Sequence, residues 1–312
     1  MSRIKDFFRM TWKVDIIIAV LTLPLYAAGI GRYGLRLLLL LVCSIGIGLF
    51  LEFGYFRFIK QKIDLVGLST WFIVPLILPP AFPIWMVLAA LIFGILIATV
   101  FFGGHGRELA SPVAVAWAFA ALSFARDFGL GWSLPFTSNF EGFNHFGASL
   151  LTIDHPLLLL KSRAPIPLME ILSGNFPQTP INAVPLLLIG IGLLLLLLRA
   201  IDFRSSLGFI CTVVILTIGY GFFNNNLSLA VNSLFVGNLF AAAFFVIPVF
   251  NVTPRTNPGR WITAILTGVV AFLIRTFSSF PDGVFFAVLF GNSFSALIDD
   301  RILHYRYGRK TA

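Results

Sequence analysis

Apolar residues run through this chain in blocks too long and too continuous for a water-soluble fold. Ten blocks approach the roughly 20 apolar residues that a bilayer-crossing helix needs. They fall near 15–31, 36–54, 64–79, 83–102, 110–130, 183–200, 205–222, 229–250, 260–277 and 281–298. The third is short and ends in Pro79-Pro80, which predicts a broken or tilted helix. Between the fifth and sixth lies the one long polar stretch, about 131–182, rich in Pro, Ser, Asn, Phe and Gly. Its apolar patch Leu157–Leu160 is too short to cross a membrane and predicts an interfacial turn or short re-entrant piece. The pattern as a whole predicts an all-α polytopic membrane protein of about ten transmembrane helices.

Two of the connections resemble each other. Residues 92–124 and 272–299 each contain an apolar run that ends in aromatic residues, turns through small residues and re-enters a second run. Proline-bearing exits also match: Pro79, Pro80 and Pro83 with Trp85 follow the third block, and Pro248, Pro254 and Pro258 with Trp261 follow the eighth. Five blocks on each side of the polar segment make an odd number per half, so the second half would sit upside down relative to the first. Two inverted five-helix repeats, 1–130 and 183–312, joined by an extracytoplasmic loop 131–182, are the predicted organisation.

Composition agrees. Hydrophobic residues make up 58% of the 312, charged residues only 11%, and the mean hydropathy is +0.96. A soluble domain carries about a quarter charged residues, so lipid must solvate this one. The net charge of +9 is a topology signal and not a nucleic-acid footprint. With ten spans, Arg32, Arg36, Arg126, Lys161, Arg163 and Arg275 lie on one side, and the other sixteen of the 22 basic residues lie on the opposite one. The positive-inside rule then puts both termini in the cytoplasm of an inner-membrane protein. The first block follows Arg3, Lys5, Arg9 and Lys13 and reads as a retained helix, since no convincing cleavage site follows it.

Chemistry-bearing residues are few. Cys43 and Cys211 lack metal-site spacing and read as buried hydrophobes. No Ser/His/Asp or HExxH arrangement supports hydrolysis, and no metal site or catalytic residue is assigned. Glu52 is a carboxylate inside the second block, near its inner end. Asp15, Asp64, Asp299 and Asp300 sit at block ends and read as hydrated, while His145 and His304 read as surface residues. So few embedded acids argue against a chain that pumps ions alone.

Particular lines resemble the RnfD/NqrB family, the D subunit of Rnf electron transport complexes and the B subunit of the sodium-translocating NADH:quinone reductase. They are DLVGLSTWFIVPLILPP from Asp64 to Pro80, the Phe102-Gly103-Gly104-His105-Gly106 elbow with Ser111-Pro112, and Thr253-Pro254, Gly259-Arg260 and Arg275. The most specific is Pro281-Asp282-Gly283-Val284 running into Phe286-Ala287-Val288-Leu289, then Asn292 and Leu297-Ile298-Asp299. The resemblance implies a ten-helix membrane subunit of a redox-driven ion pump that works with other membrane subunits. It also implies FMN, typically linked by a phosphoester to a threonine of an SGATPL-type motif, and riboflavin as a further flavin.

That motif has changed. The matching stretch is Thr152-Ile153-Asp154-His155-Pro156-Leu157, so His155 stands where the flavinylated threonine belongs. A phosphoester needs a hydroxyl, and imidazole gives only a labile phosphoramidate. Thr152 has a hydroxyl but is out of register. The resemblance therefore implies FMN or riboflavin held non-covalently, or a flavin site that has been lost. Glu108, Ala110 and Ser111 depart from the family's Asn, Phe and Asn, and Thr99 replaces its lysine.

Several residues keep two readings. Gly103, Gly104 and Gly106 make either a helix-to-helix turn or a cradle of backbone N–H groups. Asp282, with Gly283 beside it, either caps the next helix or faces a flavin or partner. Lys161 and Arg163 either neutralise a flavin phosphate or anchor at the lipid interface. Arg275 pairs internally or snorkels. The leading expectation is a non-autonomous membrane subunit of an ion-translocating oxidoreductase. The alternative is a flavin-free transporter or scaffold built on the same bundle.

Overall fold

The computed structural model describes residues 2–59, 67–105, 107–137, 140–147, 152–162, 166–248, 252–278, 280 and 282–307. Helix dominates, and every predicted apolar block carries it. The elements are α1 (Ser2–Tyr33), α2 (Arg36–Ile59), α3 (Leu68–Ile77), α4 (Ile84–Ile95), α5 (Pro112–Ser123), α6 (Ala125–Leu130), α7 (Pro156–Ser162), α8 (Leu168–Leu172), α9 (Pro185–Leu197), α10 (Phe203–Phe223), α11 (Leu227–Phe235), α12 (Leu239–Ala241), α13 (Asn257–Phe277) and α14 (Val284–Tyr307). The polar segment adds a two-residue antiparallel ribbon, β1 (Trp132–Ser133) against β2 (Thr152–Ile153).

Ten blocks do not make ten full-length helices. Lys13–Tyr33, Arg36–Tyr55, Phe203–Phe223 and Asn257–Phe277 are long and apolar enough to cross a membrane. Leu227–Phe235 and Leu239–Val246 reach that length and hydropathy only together, as a pair bent by 51°. Leu68–Ile77, Ile84–Val100, Pro112–Ser123 and Pro185–Leu197 are apolar but shorter. The breaks have local causes. Pro75 lies inside α3, and Pro79-Pro80 follow it. α4 and α12 each widen into a five-residue π-turn, Leu96–Val100 and Ala242–Val246.

Caps set other boundaries. Asp202 accepts from the Ser205 N–H to start α10, and Thr256 Oγ1 accepts from the Gly259 N–H to start α13. Thr256 is in turn held by Asp299 of α14.

Trp71, Trp117, Phe245 and Phe285 are fully buried at the centre. Around them Ala90, Ala114, Ala116, Ala120 and Ala241–Ala243 are buried too, and small residues let helices approach closely where lipid supplies no hydrophobic drive. The outer faces carry Phe50, Phe53, Phe222 and Phe223, with Phe223 86% exposed, an apolar surface suited to acyl chains. Cys43 is half-buried and Cys211 exposed, so neither is the buried hydrophobe anticipated from sequence; helix faces turned to lipid accept such residues equally well.

Gly48 of α2 packs directly on the Trp71 ring, and an added Cβ would overlap three of its ring atoms. Gly48→Val is expected to cost about 1–3 kcal/mol through overpacking, read as a lower melting temperature in detergent. Gly46→Val, on open surface of the same helix, should leave it unchanged.

The helix ends sort into two groups. Arg32 at the end of α1 donates to the carbonyls of Phe136 and Ser173 and to Asn175 Oδ1, and Leu35 N–H before α2 donates to His145 O. Lys161 Nζ donates to the carbonyl of Arg275 near the end of α13. This is the loop end. At the opposite end, Asp15 of α1 meets Ser69 of α3, and Arg260 of α13 meets Asp202.

Candidate functional site

At the loop end, Arg275 is buried in the last turn of α13. Its Nη1 donates to Asp282 Oδ1 at 2.8 Å, and its Nη2 donates to the carbonyls of Ser233 and Val236 at 2.7 and 2.9 Å. Asp282, 1% exposed, also accepts from the Asn238 N–H at 3.0 Å. Arg275 thus pairs internally and does not snorkel. Asp282 joins the second elbow to the break in the bent pair, where Gly237 takes φ +84° and an added Cβ would lie 2.9 Å from Asp282 Oδ2. Gly283 is buried against Ile274, which leaves no space there for a ligand.

Beside this pair opens a cavity of about 340 Å³ between α7, α10, α11 and α13. Lys161, Arg275, Tyr220, Asn224, Asn226 and Ser233 supply its polar and aromatic lining, with Leu157 and Leu160 as an apolar wall. Burial and the neighbouring Arg275 charge lower the Lys161 pKa below its ordinary value. Lys161 gives the cavity a cationic group and Tyr220 an aromatic one.

His155 stands at the start of α7 but does not line that cavity. Its Nδ1 accepts from the Leu157 N–H at 3.1 Å, capping the helix, and its ring lies 4.6 Å from that of Trp132. Its Nε2 is buried without a hydrogen-bond partner among the described residues. Burial first, then Arg275 and Lys161, push its pKa down to about 3, so it is neutral. A neutral, enclosed imidazole used as a cap does not fit a covalent phosphoester. The backbone of Thr152 pairs with Ser133 in the ribbon. Gly106 and Arg163 lie outside the described residues.

The first elbow, at the opposite end, carries more than a turn. Gly103 and Gly104 take φ +92° and +93°, as its glycines predict. They set His105 between two carboxylates: Nε2 is 3.0 Å from Glu52 Oε1 and Nδ1 is 3.1 Å from Glu108 Oε1. Thr99 Oγ1 also donates to Glu108 Oε1, at 3.0 Å. Gly67 packs against the cluster: a Cβ there would displace the Glu52 carboxylate and lie 3.0 Å from His105 Cε1. Burial lowers the His105 pKa, but hydrogen bonds and charge from Glu108 and Glu52 outweigh it and hold the value up, at about 10.

Asp15 corrects another expectation. It is 6% exposed and accepts from Ser69 Oγ at 2.6 Å, because α3 packs across α1 and shuts out water. Asp299 and Asp300 do reach the surface, Asp64 lies outside the described residues, and His145 and His304 are exposed. Reading by position alone missed the His105 cluster. The available signal was the concurrence of His105, Glu108 and Thr99 around one elbow.

Comparison with known proteins follows the same lines. The D subunit of the ion-translocating oxidoreductase complex of Actinobacillus succinogenes is 25% identical over 93% of this chain and 92% of its own length. The proteins of the same description from Shigella boydii and Citrobacter koseri are 27% and 26% identical, again over 93% of this chain. The profile of the NQR2, RnfD, RnfE family matches residues 7–308, nearly the whole sequence, and the chain belongs to that family.

Proposed function

We propose that this chain is the membrane subunit of an ion-translocating oxidoreductase complex and holds FMN or riboflavin non-covalently at its loop end. The observation that carries the flavin reading is the 340 Å³ cavity with Lys161 at its edge, within the range of about 300–1,000 Å³ typical of small-molecule sites. Lys161 is the residue for a phosphate, Asn224 and Asn226 for ring carbonyls or ribityl hydroxyls, and Tyr220 for a ring face. A flavin, when bound, supplies one- and two-electron transfer. The chain's own residues bind and orient it, and Leu157 and Leu160 keep water from one side.

The complex reading rests on family membership and on the names of the relatives. Other membrane subunits of an Rnf-type or quinone-reductase-type assembly are the partners it implies. Two inverted five-helix units, 1–130 and 183–312, around an extracytoplasmic 131–182, with both termini cytoplasmic, remain our organisation. The charge asymmetry supports it. So does the Asn238 Nδ2 donor to the Ile77 carbonyl, which ties the break in the bent pair to the end of α3, its counterpart in the first half.

The test is purification from membranes, followed by acid precipitation. Flavin should leave with the supernatant, and the denatured band should be dark under ultraviolet light. A fluorescent band would overturn the reading of His155; wild-type protein without flavin would overturn the site. Lys161→Gln should lower flavin affinity about tenfold, the worth of one charge-assisted hydrogen bond, with the melting temperature of the flavin-free protein unchanged. Co-purification with other membrane subunits tests the complex independently.

A further inference from the structure

Glu52, His105 and Glu108 line no part of the loop-end cavity, and the hydrogen-bond inventory of their cluster is unusual. A neutral imidazole has one N–H, and an ionised carboxylate only accepts. Both ring nitrogens of His105 nevertheless lie within hydrogen-bond distance of a carboxylate oxygen. The geometry is satisfied only when the three groups hold one proton more than a neutral histidine with two carboxylates. That proton has two resting forms: an imidazolium between two carboxylates, or a neutral imidazole with one protonated Glu. Passing the Nε2 proton to Glu52 converts the first form into the second and leaves the Nδ1 proton on the ring, donated to Glu108.

Three further observations point the same way. The second oxygen of Glu52, on a side chain 6% exposed, has no hydrogen-bond partner among the described residues, so it is a buried acceptor in waiting. A cavity of about 20 Å³ lies against Asp15, Ser69, His105, Glu108 and Ser111, enough for one water molecule. Asp15, held by Ser69, completes a line of acid, water site and imidazole. The groups facing His105 are Glu52 from α2, Glu108 from the elbow and Asp15 from α1, with the Tyr55 hydroxyl beside Gly104. Among the described residues Glu52 and Glu108 form ion pairs with His105 alone. An alkali cation needs several oxygen ligands converging on one point, and here an imidazole fills the space between the carboxylates.

We infer that the first elbow is a proton-loading site, in which Glu52, His105 and Glu108 share one proton and exchange it with water through the cavity at Asp15. This inference does not depend on the flavin reading, and its test involves no flavin. The protein has four histidines, so isotope-labelled histidine in lipid can be assigned by nuclear magnetic resonance with His105→Asn as the reference. His105 should be doubly protonated at pH 7 and become neutral in Glu52→Gln/Glu108→Gln. Proteoliposomes on a solid-supported membrane should show a transient charge displacement on a jump from neutral pH to about 10. The displacement should be lost in the double variant and slowed in Asp15→Asn. A neutral His105 flanked by ionised Glu52 and Glu108 in the wild type, the carboxyl states read from isotope-labelled glutamate in the same sample, would overturn the inference without any variant having to fold. Charge displacement that survives in the double variant would overturn it too, as would displacement driven by sodium at constant pH.

Discussion

Arg275→Met is expected to lower stability by about 3–5 kcal/mol, the cost of leaving one partner of a buried ion pair behind. The loss has two parts. Asp282, 1% exposed, would be left facing only backbone donors, and the carbonyls of Ser233 and Val236 would lose the guanidinium that satisfies both. Arg275→Lys keeps the charge but cannot present a planar fork to three acceptors, so it should recover less than half of the loss. Because Arg275 binds α11, the break after it and the second elbow, the damage should open this whole corner, read as faster proteolysis at 224–238 and a lower melting temperature. Arg275→Met/Asp282→Leu should melt higher than Arg275→Met alone, since an apolar pair is better than an unpaired charge. A double variant no better than the single one would mean that the carbonyl contacts, and not the ion pair, carry the corner.

Acid should weaken the protein through His155 and alkali through His105. The folded protein holds the His155 pKa at about 3, whereas an unfolded histidine titrates near 6.5. Between those values the unfolded chain binds the extra proton and the folded one does not. His155 therefore contributes full stability above about pH 6.5, and that contribution falls as pH drops toward 3, at about 1.4 kcal/mol per pH unit. His155→Asn keeps a cap acceptor for the Leu157 N–H and removes the titration, so its melting temperature should be nearly flat across this window. His105 runs the other way. Its folded pKa is raised to about 10, so its contribution is complete below about 6.5 and is lost as pH rises through 10. Glu52→Gln/Glu108→Gln should remove that alkaline slope and leave the acid one. Melting curves against pH for the wild type and both variants check the signs directly.

Much of this architecture could be read from the residues, because hydrocarbon leaves little freedom in what an apolar block can become. Each of the ten blocks became helix, and the Pro79-Pro80 and Gly103-Gly104 punctuation marks real turns. Helix continuity was less legible. Nothing in LFAAAFFV announces a π-turn, and the bend before it depends on Gly237 accommodating Asp282 from a segment 45 residues away. The loop-end pair was half visible: Arg275 and Asp282 were both singled out, but their roles as cap, anchor or ligand could be separated only once the carbonyls of Ser233 and Val236 were in place. The opposite end was the least legible. Glu52 and His105 are 53 positions apart and meet beside Gly67, where the missing Cβ leaves the Glu52 carboxylate its place. Asp15 looked hydrated because its burial depends on where α3 crosses α1.

α3 itself joins the two ionic ends. Gly67, at its start, touches Glu52 and His105, and the Ile77 carbonyl, in its last turn, accepts from Asn238, which also donates to Asp282. A ten-residue helix is about 15 Å long, and from Trp71 to Ile77 this one is buried at every position but Phe72. A unit charge gained at one end would be felt at the other as roughly 1 kcal/mol at an effective dielectric of about 20. The rod is thus short enough for a charge gained at one face to shift a charge-dependent equilibrium at the other about fivefold, with no moving part.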